Sequence, residues 1–346
     1  MRLKSVKRYC LAVAATLLAC GAQAEDISGA GATFPYPVYA KWADAYKTLT
    51  GVGLNYQSIG SGGGIKQIKA KTVTFGASDA PLKEDELTAA GLVQFPMIIG
   101  GVVPVVNIKG VAAGQLTLDG ATIAAIYLGE ITNWNDPKIH KLNPKLNLPD
   151  VAIAPVYRAD GSGTNFLFTD YLSKSLPEFK EKVGADKSVQ WPTGIGAKGN
   201  EGVANVTTLT QGAIGYVEYA YAKQNKMNFV SMKNSAGSFV EPVEGAFKAA
   251  AAGADWTKSY YQVLTDEPGK DSWPITGATF VLMHKTQDKP AQGSAVVKFF
   301  DWSFANGDKA AGELDYVTLP DSVKAQIRKT WESSLKDAAG KAIALK

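Results

Sequence analysis

Residues 151–174 read VAIAPVYRADGSGTNFLFTDYLSK, and the change of pattern inside them decides the fold. VAIAPVY is a β-branched, strand-like run, and FLFTDYLSK is apolar with helical spacing. Between them RADGSGTNF (158–166) places an arginine, an aspartate and a Gly-Ser-Gly-Thr loop. Glycine lets a backbone turn sharply and approach another group closely. A small hydroxyl at a helix start either caps the helix or points its proton outward. The helix start also offers unpaired N–H groups and the positive end of a dipole, which suit an anion. On its own the stretch is compatible with an ordinary capped turn and with an anion-binding helix start.

The same junction recurs twice. SGAGATFPYPVYAKW (28–42) is a glycine-alanine loop followed by a helical stripe of Val38, Trp42 and Tyr46. SIGSGGGIKQIKAK (58–71) is a glycine-serine loop that leads into a basic helical segment. Strand-like runs (VGLNYQSI, VTFGAS, MIIGGVVPVVNI, GAIGYVEYA, ATFVLMHK) alternate with such helices, the last striped by Val323, Ile327, Trp331 and Leu335. The alternation predicts an α/β fold with parallel sheets. In open α/β sheets a ligand lies outside the carboxyl ends of the strands, where these loops fall, so three helix starts can converge on one small anion. Clear linkers are missing. The long apolar runs 95–107 and 274–284 are instead expected to carry the chain from one domain to the other and back, leaving discontinuous domains.

The first residues bear on compartment. MRLKSVKR is a basic start, YCLAVAATLLAC a short apolar core and Ala22-Gln23-Ala24 an A-x-A site, which together predict a secretory signal peptide over 1–24 cleaved after Ala24. A rival reading takes LLAC (17–20) as a lipobox with Cys20 acylated, although Leu18 is an unusual occupant of that motif. The remaining 322 residues (346 less 24) suit two domains. Four of the 36 basic residues lie in the leader, so the other 32 are balanced by 32 acidic ones. The basic balance of the whole chain therefore carries no case for nucleic acid. Cys10 and Cys20 both precede the cleavage site, which leaves no disulfide, cysteine metal site or thiol nucleophile. No later segment reaches 18 apolar residues without a charge or breaker, and a soluble mature protein is expected.

Other chemistries fit poorly. No G-x-x-x-x-G-K-[ST] loop occurs, and Gly194-Ile195-Gly196-Ala197-Lys198-Gly199 matches G-x-G-x-x-G without a convincing strand before it, so it is read as a chance match. His140, read as a loop residue, and His284, read as a strand-end residue, have nothing of metal-ligand spacing near them. Neither Ser61 nor Ser162 lies in G-x-S-x-G. KEDE (83–86) reads as a solvated helix start. Asp79, in FGASDAPL, has two readings. It is either the N-cap of a helix beginning near Pro81 or a carboxylate at the anion site, where it would repel any ligand without a proton to donate. Phosphate at neutral pH keeps at least one proton and sulfate keeps none.

GAGATFPYPVYAKW, GSGGGIKQI, FGASDAPL, NWNDP, LNPKLNLP, RADGSGTNF and GAIGYVEYAYAKQN, in that order, resemble the periplasmic phosphate-binding proteins of high-affinity phosphate ABC importers. The likeness extends over essentially the whole mature chain, to DWSF and LPDSV. It implies a two-lobed periplasmic-binding-protein fold of the type II class, each lobe a mainly parallel sheet flanked by helices, joined by two crossover strands. The expected lobes are 25–104 with 272–346, and 105–271. The resemblance further implies one dehydrated phosphate in the cleft, contacted by Thr33 and the Phe34 N–H from the first loop and by Ser61 from the second. Asp79 matches the proton-accepting aspartate that rejects sulfate. Arg158, Ser162, Gly163 and Thr164 match the third loop, with Asp160 pairing with the arginine. Tyr157 stands where some members carry a second arginine, and Thr74 where an aspartate is common; both lie outside the contact set. The expected protein is a periplasmic, monomeric, non-enzymatic receptor without cofactor or metal, delivering inorganic phosphate to an inner-membrane permease driven by a cytoplasmic ATPase. A receptor for another oxyanion is the alternative within this class. An exported phosphomonoester hydrolase using Ser61 or Ser162 is the alternative outside it.

Overall fold

The β-branched runs become strands of one curled, nine-stranded sheet in a computed structural model that describes residues 26–257 and 260–343. The leader, Ala24 and Cys20 lie outside the described residues. One flank of the sheet is parallel: Ile27–Gly31 pairs with Leu54–Ser58 on one side and Phe75–Ser78 on the other. The opposite flank is parallel as well, with Ala154–Arg158 between Ile195–Ala197 and Ala213–Glu218. The expected parallel sheets thus form the flanks, and the middle is antiparallel. There Thr276–His284 is inserted between Phe75–Ser78 and Leu92–Val106, antiparallel to both.

The two long apolar runs of the sequence make this junction. Leu92–Val106 is a 15-residue strand, buried throughout. Residues 92–101 pair with Thr276–His284, and residues 102–106 pair with Ala213–Glu218, so one strand belongs to the sheets of both lobes. Its near-continuous Val, Ile, Phe and Met content suits a strand covered on both faces. The register shifts between Thr279 and Phe280, where the partner passes from Ile98 to Pro96, a bulge beside what becomes the site.

Helices form where the stripes lie. Tyr36–Thr50 starts with a proline in its first turn, buries Val38, Tyr39, Trp42 and Tyr46, and ends at Gly51 in the left-handed region, φ 78°. Asp321–Ser334 buries Val323, Ile327 and Trp331, and Leu335 is buried just beyond its last turn. Lys83, Glu84, Asp85 and Glu86 are exposed at the start of the helix Glu84–Ala90, as the charge run predicts. His140 lies in the short helix Pro137–Leu142 rather than a loop, because Asp136 caps that turn and Pro137 starts it.

Helix Ser61–Lys69 sits directly on strand backbones. A Cβ at Gly64 would lie 2.5 Å from Gly31 Cα, 2.6 Å from Ala30 O and 2.9 Å from Ala77 O. Backbone cannot swing aside as a side chain can, so Gly64→Ala must displace the helix from the sheet. A cost of about 1–3 kcal/mol is expected from such overpacking. Gly245, in helix Glu244–Ala251, has nothing within 4 Å of its would-be Cβ. Gly245→Ala should be neutral or stabilising by up to about 1 kcal/mol through helix propensity. Thermal melts of the two variants, side by side, should show a clear drop in Tm for Gly64→Ala alone.

Candidate functional site

Asp79 follows directly on the strand Phe75–Ser78 and is buried. The antiparallel register pairs Ser78 with Phe280, which brings the next residue, Asp79, opposite Thr279. Thr279 Oγ1 donates to Asp79 Oδ1 at 2.6 Å. On the other side stands Ser61, the first residue of its helix, whose Oγ accepts from the Asp79 N–H at 3.2 Å and the Gly163 N–H at 3.0 Å. Its own proton faces Asp79 Oδ2 at 3.5 Å. A Cβ at Gly163 would lie 2.5 Å from Asp79 Cβ and 2.6 Å from both Asp79 Oδ2 and Ser61 Oγ, so the second and third loops meet only because this helix begins with glycine. Burial pushes the Asp79 carboxyl up to about 7, although the Thr279 hydroxyl, the Arg158 charge and the Ser61 hydroxyl all pull it down.

Arg158 is the last residue of its strand and is buried. Its Nε and Nη2 donate to Asp160 Oδ1 and Oδ2 at 2.8 and 2.6 Å, a two-pronged ion pair. Burial works to raise the Asp160 carboxyl, but the Arg158 hydrogen bonds and charge, with the Gly199 N–H on Oδ1, hold it below its ordinary range. The third nitrogen, Nη1, is buried with no hydrogen-bond partner among the described residues. Tyr216 fixes the arginine's backbone: its hydroxyl accepts from the Arg158 N–H at 3.0 Å and donates to Asn165 Oδ1 at 2.5 Å. Ser162 caps helix Gly163–Ser175 by accepting from the Asn165 N–H at 3.0 Å.

Thr33 and Thr164 are joined by Asn200. Asn200 Nδ2 donates to Thr33 Oγ1 at 2.6 Å and to Thr164 Oγ1 at 3.3 Å, and the Asn200 N–H also reaches Thr33 Oγ1 at 3.2 Å. The peptide after Thr33 is gripped from behind, because Tyr221 Oη donates to Thr33 O at 2.7 Å. That C=O shares a peptide plane with the Phe34 N–H, which points the opposite way. Tyr316 Oη stands 2.6 Å from Phe34 O and 2.7 Å from Glu218 Oε2. Burial pushes the Glu218 carboxyl well above the usual range, and the Tyr316 and Ala220 hydrogen bonds offset only part of that. Across the cleft, the Gly62 N–H donates to Gly161 O at 2.8 Å, a backbone-to-backbone contact between the second and third loops.

The structure therefore gathers Thr33, Phe34, Ser61, Asp79, Arg158, Ser162, Gly163, Thr164 and the supporting Asp160 into one buried constellation. Asp79 caps no helix, since the next one starts only at Glu84. Gly194–Gly199 has no strand before it, as its sequence suggests. Ile195–Ala197, inside the run, is itself the strand and Gly199–Leu209 the helix, so the run forms a fourth strand-to-helix junction, whose N-terminus supplies Gly199 and Asn200. Its glycine spacing was the available signal for this junction. Thr279, Tyr221, Tyr316 and Glu218 carried no local signal, because each acts from a distant segment. Neither histidine serves a serine: His140 is exposed and His284 Nε2 lies 2.7 Å from Ile68 O. Tyr157 stacks on Trp191, and Thr74 bonds Ser28 Oγ at 3.0 Å, so both depart from the resemblance in structural positions.

Comparison with known proteins bears on the family. Residues 19–306 match the family model of the PBP superfamily domain. The phosphate-binding protein PstS of Pasteurella multocida (strain Pm70) is 54% identical over 335 residues, 96% of this chain and 97% of that protein. PstS of Haemophilus influenzae (strain ATCC 51907 / DSM 11121 / KW20 / Rd) is 53% identical over 317 residues, 91% of this chain and 95% of that protein. Among solved structures, a phosphate-binding protein from Stenotrophomonas maltophilia superposes with a TM-score of 0.66 at 21% identity, over 92% of this chain and 96% of that one. The ancestral soluble variant of the human phosphate binding protein reaches 0.71 at 20% identity, again over 92% and 96%. The fold is that of the two-lobed periplasmic binding proteins, and by sequence the chain belongs to the PstS family of phosphate-binding proteins.

Proposed function

We propose that this protein binds one dehydrated inorganic phosphate between its lobes and hands it to a phosphate ABC importer. The observation that carries this reading is the polarity of the buried hydroxyls. The oxygens of Thr33, Ser162 and Thr164 each accept from a protein N–H. Each hydroxyl proton is thereby left to be given to an acceptor. Together with the unpartnered Nη1 of Arg158, this makes a nest of donors for an oxyanion. The ligand set is Thr33, the Phe34 N–H, Ser61, Asp79, Arg158, Ser162, Gly163 and Thr164, with Asp160 orienting the arginine.

In this reading the lobes are 25–104 with 272–346, and 105–271, and closing them excludes water and strengthens every bond to the anion. The protein works as a monomer in the periplasm after cleavage behind Ala24. Its partners are the permease subunits in the inner membrane and their cytoplasmic ATPase. It catalyses no reaction. Calorimetry of the stripped protein with phosphate tests this directly. At a thousandfold excess over Kd, phosphate should add about 4 kcal/mol of stability and raise Tm by several degrees; no heat and no shift in millimolar phosphate would overturn the assignment.

Arg158→Ala removes charge-assisted hydrogen bonds worth about 1.5–3 kcal/mol each, so phosphate affinity should fall tenfold or more. Calorimetry on the folded variant checks this, and unchanged binding would remove Arg158 from the site.

Asp79 sets selectivity. Above about pH 7 its carboxylate is ionised and accepts a proton from phosphate, whereas sulfate has none to give. Below that pH Asp79 is protonated and can donate to sulfate. Sulfate should therefore compete with labelled phosphate progressively better as pH falls from 8 to 5. Asp79→Asn should weaken phosphate binding, admit sulfate, or both, with competition that no longer changes over that window. The linkage has a matching sign: a carboxyl raised by folding stabilises the ligand-free protein fully below its unfolded pKa, near 3.8, and that contribution is lost as pH rises through about 7. The wild-type stability relative to Asp79→Asn should fall over the same range in urea titrations.

A further inference from the structure

We infer that Thr279 is the specificity-determining positioning residue of the site: its hydroxyl claims Oδ1 of Asp79 and turns Oδ2 alone toward the ligand. The inference rests on the reading of Asp79 given above and adds the device that sets which oxygen, and which protonation state, the ligand meets.

Geometry supports it from three sides. Thr279 Oγ1 is 2.6 Å from Asp79 Oδ1, and both residues are buried. Oδ2 lies at the meeting of the two helix starts, facing Ser61 Oγ and the place where a Cβ on Gly163 would be. Thr279 is also held in place: the ladder from Phe75–Ser78 ends at the Ser78–Phe280 pair, and the bulge against Leu92–Val106 falls between Thr279 and Phe280. A bulge of this kind re-aims a side chain, and here the side chain aimed is a hydrogen-bond donor.

A hydroxyl that donates to a carboxylate favours its ionised form. The groups around Asp79 do not replace that donor. Arg158, from strand Ala154–Arg158, attracts the negative charge but gives both paired prongs to Asp160. Ser61 is distant at 3.5 Å. Tyr39 from helix Tyr36–Thr50, Tyr56 from strand Leu54–Ser58, and Tyr316 all feel the charge of Asp79 as neutral neighbours. Glu218, from strand Ala213–Glu218, is held up by burial and pushed further up by the charge of Asp79, so it brings no support to the carboxylate. Thr279 is the first of the influences that hold Asp79 down against its burial. Without it the carboxyl keeps its proton to higher pH and offers a donor where the ligand must bring one.

The test compares wild type, Thr279→Val, which keeps the shape without the hydroxyl, and Thr279→Ser, which keeps the hydroxyl. Phosphate affinity and the sulfate-to-phosphate competition ratio are measured by calorimetry and labelled-phosphate displacement from pH 5 to 9. Thr279→Val should admit sulfate about tenfold better relative to phosphate near pH 7.5, and the pH at which discrimination fails should move up by about one unit. Thr279→Ser should restore both. A folded Thr279→Val with the wild-type ratio and pH midpoint overturns the inference, and so does an equal loss of phosphate and sulfate binding at every pH, which would mark a merely structural residue. If Thr279→Val does not fold, Thr279→Ala is read by the same criteria. Wild type that binds no phosphate would instead defeat the functional reading, so the two failures are distinct.

Discussion

A carboxylate taken out of water beside an anion site must be held by something, and the rest of the site follows from how Asp79 is held. An isolated buried charge carries a penalty of several kcal/mol unless hydrogen bonds and opposite charge offset it. Here the offset comes from three separate stretches of chain: Thr279 from the returning strand, Arg158 from the end of the strand Ala154–Arg158, and Ser61 from a helix start. The offset is incomplete, which leaves the carboxyl poised near neutrality. Each of these partners favours the ionised form, which accepts a hydrogen bond and gives none, while burial favours the protonated form, which can donate.

The Arg158–Asp160 pair solves a related problem. An unpaired guanidinium in the same space would draw any anion and would pull on Asp79 directly. Two prongs locked on Asp160 use two of its five N–H donors, fix the plane of the group and leave Nη1 without a partner among the described residues. Asp160 is in turn steadied by the Gly199 N–H, at a helix start that also delivers Asn200 to Thr33 and Thr164. The hydroxyl oxygens of Thr33 and Thr164 are thus occupied by neutral amide donors, and the arginine is kept in a pair.

Local pattern made much of this legible. Runs such as MIIGGVVPVVNI and ATFVLMHK announced the long buried strands, and the three glycine-hydroxyl loops announced the helix starts, because turn chemistry and apolar periodicity act over neighbouring residues. The run at 194–199 hid its junction for the same reason, because a three-residue strand with a glycine at its middle is too short to show alternation. The reading of Asp79 as a helix cap failed because caps are judged by spacing, whereas its partners are set by sheet register. Thr279 shows the limit most clearly. Nothing near it in sequence marks a ligand site, and its role depends on an antiparallel pairing between segments 200 residues apart.

That pairing also governs when the molecule can become itself. The strand Thr276–His284 lies between Phe75–Ser78 and Leu92–Val106, so the sheet cannot close there until the chain has been made as far as His284. Contacts of such long sequence separation form slowly, since chain entropy is spent before they reward it. A product ending anywhere before this strand, by early termination or proteolysis, therefore holds most of the site residues but lacks Thr279 and the strand that joins Phe75–Ser78 to Leu92–Val106.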